Sequence, residues 1–571
     1  MKRTLRRSGV RAGAIFLAVA ALTAASAAMR HRPAGAPSDT LVASLRAEPQ
    51  SFNRYTARDL STSVLTLLMH DTLVRINRMT NEVEPELAAQ WELLDDHRSY
   101  RLRLRRGVRF SDGAPFSADD VVFSFKAIYD PAVDSVLADS LLIRGEPLVV
   151  AAEDASTVTI RFPSPFGPGL RMLDGVPIYP RHRLEPALKA GTFRSAWGVS
   201  SRPEDLSGLG PFVLKRYVPG QWLTLDRNPH YWRRGDASST VAHMILQVVP
   251  DQDAELLQLE SGGIDLTQSE LRPSDVPALK RAVAAGRVAI ADAGVSLDGD
   301  LLWMNLRPER ARDRRARWLQ HRDFRRAIAQ SIDRQAFVDT VYLGAAVPAD
   351  SIVSPGNREW HVPAPLPDFD VTSAKRVLAS LKLSPRKSGG ALQDEDGSEV
   401  RFTLLTQKGN TSLERGAALI RDSLASVGVR VDVVALEVGA LVARIMRGDY
   451  DAAYFRILTT DSDPALNVDF WLSSGSAHIW NPGEPSASTA WEAQIDALMT
   501  QLSASEDREQ RRTAFADVQR IMARELPVMC FAFPRSRSPS TRECRASTQR
   551  RFARRCSGIP TESAYAPNDR S

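Results

Sequence analysis

The sequence predicts an α/β protein built from more than one domain, and three observations carry that expectation. The chain of 571 residues is longer than one hydrophobic core usually supports, so two or three domains are expected. Strand and helix patterns alternate along most of it. Near residue 400, Val400-Arg-Phe-Thr-Leu-Leu-Thr reads as a strand, Leu413 to Ser426 as a helix closed by Gly428, and Val429-Arg-Val-Asp-Val-Val as the next strand. A strand, helix and strand joined by so short an exit loop make a parallel unit.

The elements follow in order. Residues 28–38 are a Pro/Ala-rich linker, and Thr40-Leu-Val-Ala-Ser-Leu reads as a first strand. From His70, Leu73, Arg75 and Asn77 alternate with Val74 and Ile76, as in a half-buried strand. A polar turn over Met79-Thr80-Asn81-Glu82 follows. Pro85-Glu-Leu-Ala then predicts a helical start with Pro in the first turn. Tyr100-Arg-Leu-Arg-Leu-Arg alternates again, Ser111-Asp-Gly113 is a turn, and Ser117 caps a helix carrying Asp119, Asp120, Val121, Val122 and Phe125. Farther on, two strands meet at Pro219-Gly220, with Gly210 serving a tight bend before them. Asp253 to Leu259 is helical and leads through Gly262-Gly-Ile-Asp into a short strand. Leu301-Leu-Trp-Met-Asn305 is an apolar strand, and Phe324, Ile328 and Ile332 recur at helical spacing. Residues 371–384 form a helix, and 384–398 a polar surface loop.

Charge and compartment are read together. Lys2, Arg3, Arg6, Arg7 and Arg11 precede an apolar run from Ala12 to Ala25 and the small residues Ala25-Ser-Ala27. This is the pattern of an export signal over residues 1–28. The run is short for a span of roughly 20 residues, so cleavage is favoured over a retained anchor, and the mature chain is expected to be soluble outside the cytoplasm, as in a periplasm. The net charge of +6 is misleading: residues 1–32 carry +7 and residues 535–571 carry +6, which leaves the body between them at −7. A nucleic-acid role argued from the high isoelectric point therefore loses its support. Cys530, Cys544 and Cys556 imply no disulfide framework. Cys544 and Cys556 are close enough in sequence to pair, and Cys530, within Val528-Met-Cys-Phe531, reads as a buried thiol.

Three stretches together resemble a known family. His70-Asp-Thr-Leu-Val, Pro85-Glu-Leu-Ala-Ala-Gln-Trp91 and Tyr100 through Val121 follow one another almost without gaps, with Trp91, Gly107, Gly113 and Pro115 at fixed distances. The series resembles the peptide/nickel family of solute-binding proteins, the extracytoplasmic receptors of ABC importers. Gly208-Leu-Gly-Pro-Phe and Arg227-Asn-Pro-His-Tyr-Trp232 extend the likeness, with Leu209 where the family usually has Thr. The resemblance implies a two-lobed periplasmic-binding-protein fold of type II, with an additional α+β domain inserted in the first lobe. Residues 39–60, 205–300 and 510–534 would form the first lobe, 61–204 the extra domain and 301–509 the second lobe. From Arg535 the composition turns abruptly to Arg, Ser, Pro and Cys. Pro527 to Pro534 begins the family's return to the first lobe and then departs from it. Residues 535–571 read either as a flexible basic tail or as translation in the wrong frame, and the arginine-rich, motif-free text after an intact body favours the second.

The same resemblance points to ligand contacts. A cleft between lobes needs a few oriented polar groups on apolar walls, and a peptide's ammonium group calls for a buried carboxylate. Thr459-Thr-Asp461-Ser-Asp463-Pro464 is similar to the segment whose aspartate meets a peptide's amino terminus in peptide-binding members. Asp461 is the expected amine anchor and Asp463 its neighbour. Ile457 or Leu458 stands in place of the family's tryptophan, and one residue between the aspartates is missing. Arg58 and Asp59, in the loop after the first strand, and Asn305 and Trp303, where the family's first crossover reaches the cleft, complete the expected set. Trp303 also reads as a core residue. No metal-ligand, catalytic-serine or phosphate-loop motif occurs, so no cofactor, metal or catalytic residue is expected. The functional expectation is an oligopeptide-binding component of an ABC importer, a monomer that closes around its ligand and docks on a membrane permease with its ATPase. An opine, oligosaccharide or metal chelate is the alternative solute, and an exported hydrolase the alternative class.

Overall fold

The computed structural model describes residues 39–541 apart from 78–79, 234–240, 270, 310–316, 386–389 and 461–462. The export-signal segment, Cys544, Cys556 and Asp461 lie outside the described residues. Two lobes and an inserted domain make up the rest.

The first lobe is built on the strands Phe212–Val218, Trp222–Arg227, His243–Val248 and Thr40–Leu45, in that order across the sheet. The first two form the expected hairpin, with Gly220 at φ 73° in its turn. Thr40–Leu45 runs parallel to His243–Val248. Beyond it, Leu266 bridges Ala43 on one side and Ser540 on the other. Asp265 fastens this edge: it accepts from the Val42 amide at 3.0 Å and the Thr541 hydroxyl at 3.1 Å. The sheet thus continues into Ala532–Thr541, which pairs antiparallel with Val288–Val295. Arg535 sits in that strand and meets Asp292 at 3.1 Å. The first-lobe pairing therefore runs seven residues past Pro534, into the stretch expected to be a divergent tail. Paired β structure hides in an arginine-rich run because ladder bonds come from the backbone, and an edge tolerates charged side chains. Gly210 serves a close approach: a Cβ there would lie 2.5 Å from the His70 amide nitrogen.

The inserted domain carries the sheet Ala88–Leu93, Ser99–Leu104, Thr157–Arg161 and Val149–Asp154, antiparallel throughout. The helix Ala118–Tyr129 starts with a capping box between Ser117 and Asp120. The helical start expected at Pro85 is absent. Val83–Pro85 and Ala88–Leu93 are strands, because the tight turn at Asp95–Arg98, with His97 at φ 56°, folds residues 88–93 back onto Ser99–Leu104. Tertiary pairing here overrides the local signal.

The second lobe has a five-stranded sheet: Arg430–Leu436, Arg401–Gln407, Ala452–Leu458, Asp298–Met304 and Val528–Cys530. The first three are parallel and joined through helices, including Thr411–Ser426. The apolar run 301–304 is buried on both faces. Leu301 and Trp303 join one core, which extends into the first lobe and inserted domain, while Leu302 and Met304 join another on the opposite face. The helices Ala490–Ala504 and Arg508–Glu525 pack on each other, and Phe515 of the latter meets Trp360 and Trp471 edge-on. Residues 510–530 thus pack with the second lobe rather than in their expected place in the first. The chain leaves that lobe only at Phe531.

Candidate functional site

Two short crossings join the lobes. Ser296 and Leu297 link Val288–Val295 to Asp298–Met304, and Phe531 links Val528–Cys530 to Ala532–Thr541. The four strands form one antiparallel ribbon that passes from lobe to lobe. The loop 351–357 braces it: Ser354 donates to the Ser296 carbonyl at 2.5 Å. Gly356 approaches so closely that a Cβ would stand 2.2 Å from the Val295 oxygen.

Beneath the ribbon lies a buried polar knot absent from the expected residues. Asp300 accepts from Arg456 Nε at 2.7 Å and from the Tyr342 hydroxyl, with the Tyr454 hydroxyl at 3.4 Å. Burial disfavours the Arg456 cation, but Asp300 outweighs burial and keeps the guanidinium charged. Burial also pushes the Tyr342 and Tyr454 phenols up, with the Asp300 charge adding to the effect. The Cys530 thiol is raised for the same two reasons, in keeping with its reading as an inert buried group. The sequence signal for the knot was an acid and a base inside two largely apolar strands.

The loop that carries the expected amine anchor leaves the sheet at this ribbon, since Leu458 pairs with Asp298, the first strand residue past the crossover. Its flanks are pinned. Thr459 donates to Ile352 O at 3.3 Å, Asn357 to the Thr460 hydroxyl at 3.0 Å, and Asn467 to Thr459 O at 3.0 Å. Asp463 is fully buried and faces Arg511 at 2.5 Å. It also caps the short helix Pro464–Asn467 through the Ala465 amide. Its charge is committed within the second lobe.

Most other expected contacts also have internal work. Asn305 donates to the carbonyls of Gly448 and Tyr450, both at 2.9 Å, and accepts from the Arg307 amide. Trp303 is fully buried in the sheet, as its core reading requires. Asp59 caps the helix Leu60–Met69 through the Thr62 amide and hydroxyl. Arg58, next to it, is exposed.

The inserted domain closes against the second lobe's helix pair. The Gly167 amide donates to Ser503 O at 2.7 Å, where a side chain would strike Ser505 O. Arg508 reaches Glu82 at 3.1 Å and Glu359 at 2.6 Å.

A family model described as bacterial extracellular solute-binding proteins, family 5 Middle, matches residues 82–478. The chain belongs to this family. Its members are binding proteins of ABC transport rather than enzymes, and they work outside the cytoplasm. The chain is 26% identical over 540 residues to the oligopeptide-binding protein AppA of Bacillus subtilis, covering 91% of each. It is 27% identical over 390 residues to the "Probable ABC transporter-binding protein" of Deinococcus radiodurans, covering 66% of this chain and 65% of the relative. Among solved structures, the ABC transporter substrate-binding protein CtaP of Listeria monocytogenes superposes with a TM-score of 0.72 at 20% identity, over 88% of this chain and 93% of that one. That likeness bears on the fold, which is the two-lobed α/β architecture of the family. Other similar proteins are named for heme or were solved with a nickel chelate, so family membership leaves the solute open. No helix among the described residues is long and apolar enough to cross a membrane.

Proposed function

We propose that this family 5 protein captures oligopeptides between its lobes and delivers them unchanged to an ABC permease and its ATPase. The observation that carries this reading is the pairing of Leu458 with Asp298. It brings Thr459 and Thr460 out beside the crossover, where closure of one lobe on the other would enclose a ligand. The overlap with a relative named for oligopeptides, across 91% of each chain, supports a peptide as the solute. With Asp463 held by Arg511, the amine-anchor role falls to Asp461, and exposed Arg58 on the first lobe is the natural partner for a peptide carboxylate. The export segment is cleaved in this reading, and the mature protein acts as a monomer.

Calorimetry on Asp461→Ala tests the site. Removing a charge-assisted hydrogen bond costs about 1.5–3 kcal/mol, so free-amine peptides should bind roughly ten to a hundred times more weakly. N-acetylated peptides should lose little. Equal losses for both would remove Asp461 from the amine site.

A further inference from the structure

Away from the crossover, the loop between Leu472 and Thr489 folds back over the start of the helix Ala490–Ala504. It brings together three groups that no sequence motif connects: His478, Glu484 and Glu492. All three are buried, and one donor atom from each lies within 4.8 Å of the other two. His478 is 1% exposed, yet neither of its ring nitrogens has a partner within hydrogen-bond distance. Burying this much unpaired polarity is costly. His478 Nε2 stands 3.5 Å from Glu484 Oε2 and 3.6 Å from Glu492 Oε1. These separations are long for hydrogen bonds, but they approach the ~3.4 Å edge of a tetrahedron whose ligands sit about 2.0–2.1 Å from a zinc ion.

We infer that His478, Glu484 and Glu492 form a binding site for a single divalent cation of the zinc class inside the second lobe. One imidazole nitrogen and two carboxylates suit such an ion. Two carboxylates beside a neutral imidazole carry −2, which one dication cancels without leaving a buried net charge. The supporting contacts are also present. Glu492 Oε2 is fixed by the Thr489 amide at 3.0 Å, the Thr489 hydroxyl at 2.7 Å and the Ser488 hydroxyl at 3.1 Å, which leaves Oε1 turned toward His478. The indole of Trp480 donates to that Oε1 at 3.2 Å, and its ring packs 4.1 Å from the imidazole. Outer partners of this kind orient metal ligands and sharpen their basicity. Because the site is enclosed, the ion would be taken up as the loop folds and exchange slowly afterwards, tying the loop to the helix whatever solute occupies the cleft.

The test is metal analysis of the full-length exported protein, with ZnCl2 as the probe. The wild type should retain about one zinc per chain through chelator-free dialysis. After stripping and refolding, ZnCl2 should raise its melting midpoint by a few degrees. X-ray absorption of the loaded protein should show nitrogen and oxygen neighbours with imidazole scattering. His478→Gln and Glu484→Gln should weaken zinc binding by at least about tenfold, and Glu484→Gln keeps the side-chain shape if the first variant fails to fold. A wild type that holds no zinc and melts identically with and without ZnCl2 would overturn the site. Sulfur in the first shell would also overturn it, because the zinc would then sit on cysteines. So would folded variants that keep wild-type zinc content.

Discussion

Asp463 and Arg511 form a pair with side chains 0% and 5% exposed. Arg511 also donates to Leu502 O at 2.9 Å and lies over the Trp360 ring. Asp463→Ala would strand a guanidinium in the interior, which costs about 3–5 kcal/mol. Chemical denaturation should show that loss, with the double variant Asp463→Ala/Arg511→Met recovering much of it; a single-variant cost below about 1 kcal/mol would contradict the role. His70 makes a second residue-level prediction. It follows the helix Leu60–Met69, and its ring packs 4.8 Å from Tyr179 and 5.7 Å from Trp197. Burial lowers its pKa from 6.5 to about 3, so the native state keeps it neutral while the unfolded chain takes up a proton below about pH 6.5. Its contribution is intact above that pH and drains away as the pH falls toward 3, with a slope of at most about 1.4 kcal/mol per pH unit. His70→Phe should flatten this part of the pH profile. Denaturation midpoints at pH 4 and pH 7 check it, and an unchanged difference between them would exclude His70 as the cause.

Among the elements, the strand Ala532–Thr541 offers the clearest test. Residues 535–541 pair with Val288–Val295, and Thr541 bonds to Asp265. A chain ended after Pro534 should therefore melt well below one ended after Thr541, and equal midpoints would contradict the pairing. This strand also shows where sequence reading ran out. Its burial is partial along 534–538, so no apolar alternation announces it, and a composition rich in arginine resembles unstructured chain. The strand Ala88–Leu93 was missed for the opposite reason: a Pro-led helix signature is local, while its hairpin partner is not. Elements with strong local punctuation were legible, such as the Ser117 capping box, the Pro219-Gly220 hairpin and the parallel unit closed by Gly428. The candidate site was legible as a region rather than as residues. Sequence pointed to the Asp461–Pro464 segment, but it gave no hint that Arg511, 48 positions beyond Asp463, claims that carboxylate. Asp300 and the His478 cluster depend on contacts across strands and loops that carry no fixed spacing.

At the scale of the whole molecule, the two lobes are joined by a ribbon of four strands. Each lobe has its own sheet, and among the described residues the backbone crosses between them at Ser296–Leu297 and Phe531. The Asp300–Arg456 knot lies at the second-lobe end of that ribbon, and the bending is assigned to the crossings themselves. The Arg508 contact to Glu82 of the inserted domain joins two side chains that are each about half exposed to solvent. It contributes little against water and salt, which suits a surface that must open and shut. A ligand touching both lobes favours the shut form by its differential affinity alone. Small-angle X-ray scattering on protein stripped of bound solute and titrated with a mixed oligopeptide pool measures this most directly. The account predicts a saturable fall in the radius of gyration, with the bound peptides recovered intact by mass spectrometry. An unchanged radius at saturating peptide, or recovery of cleaved products, would contradict it.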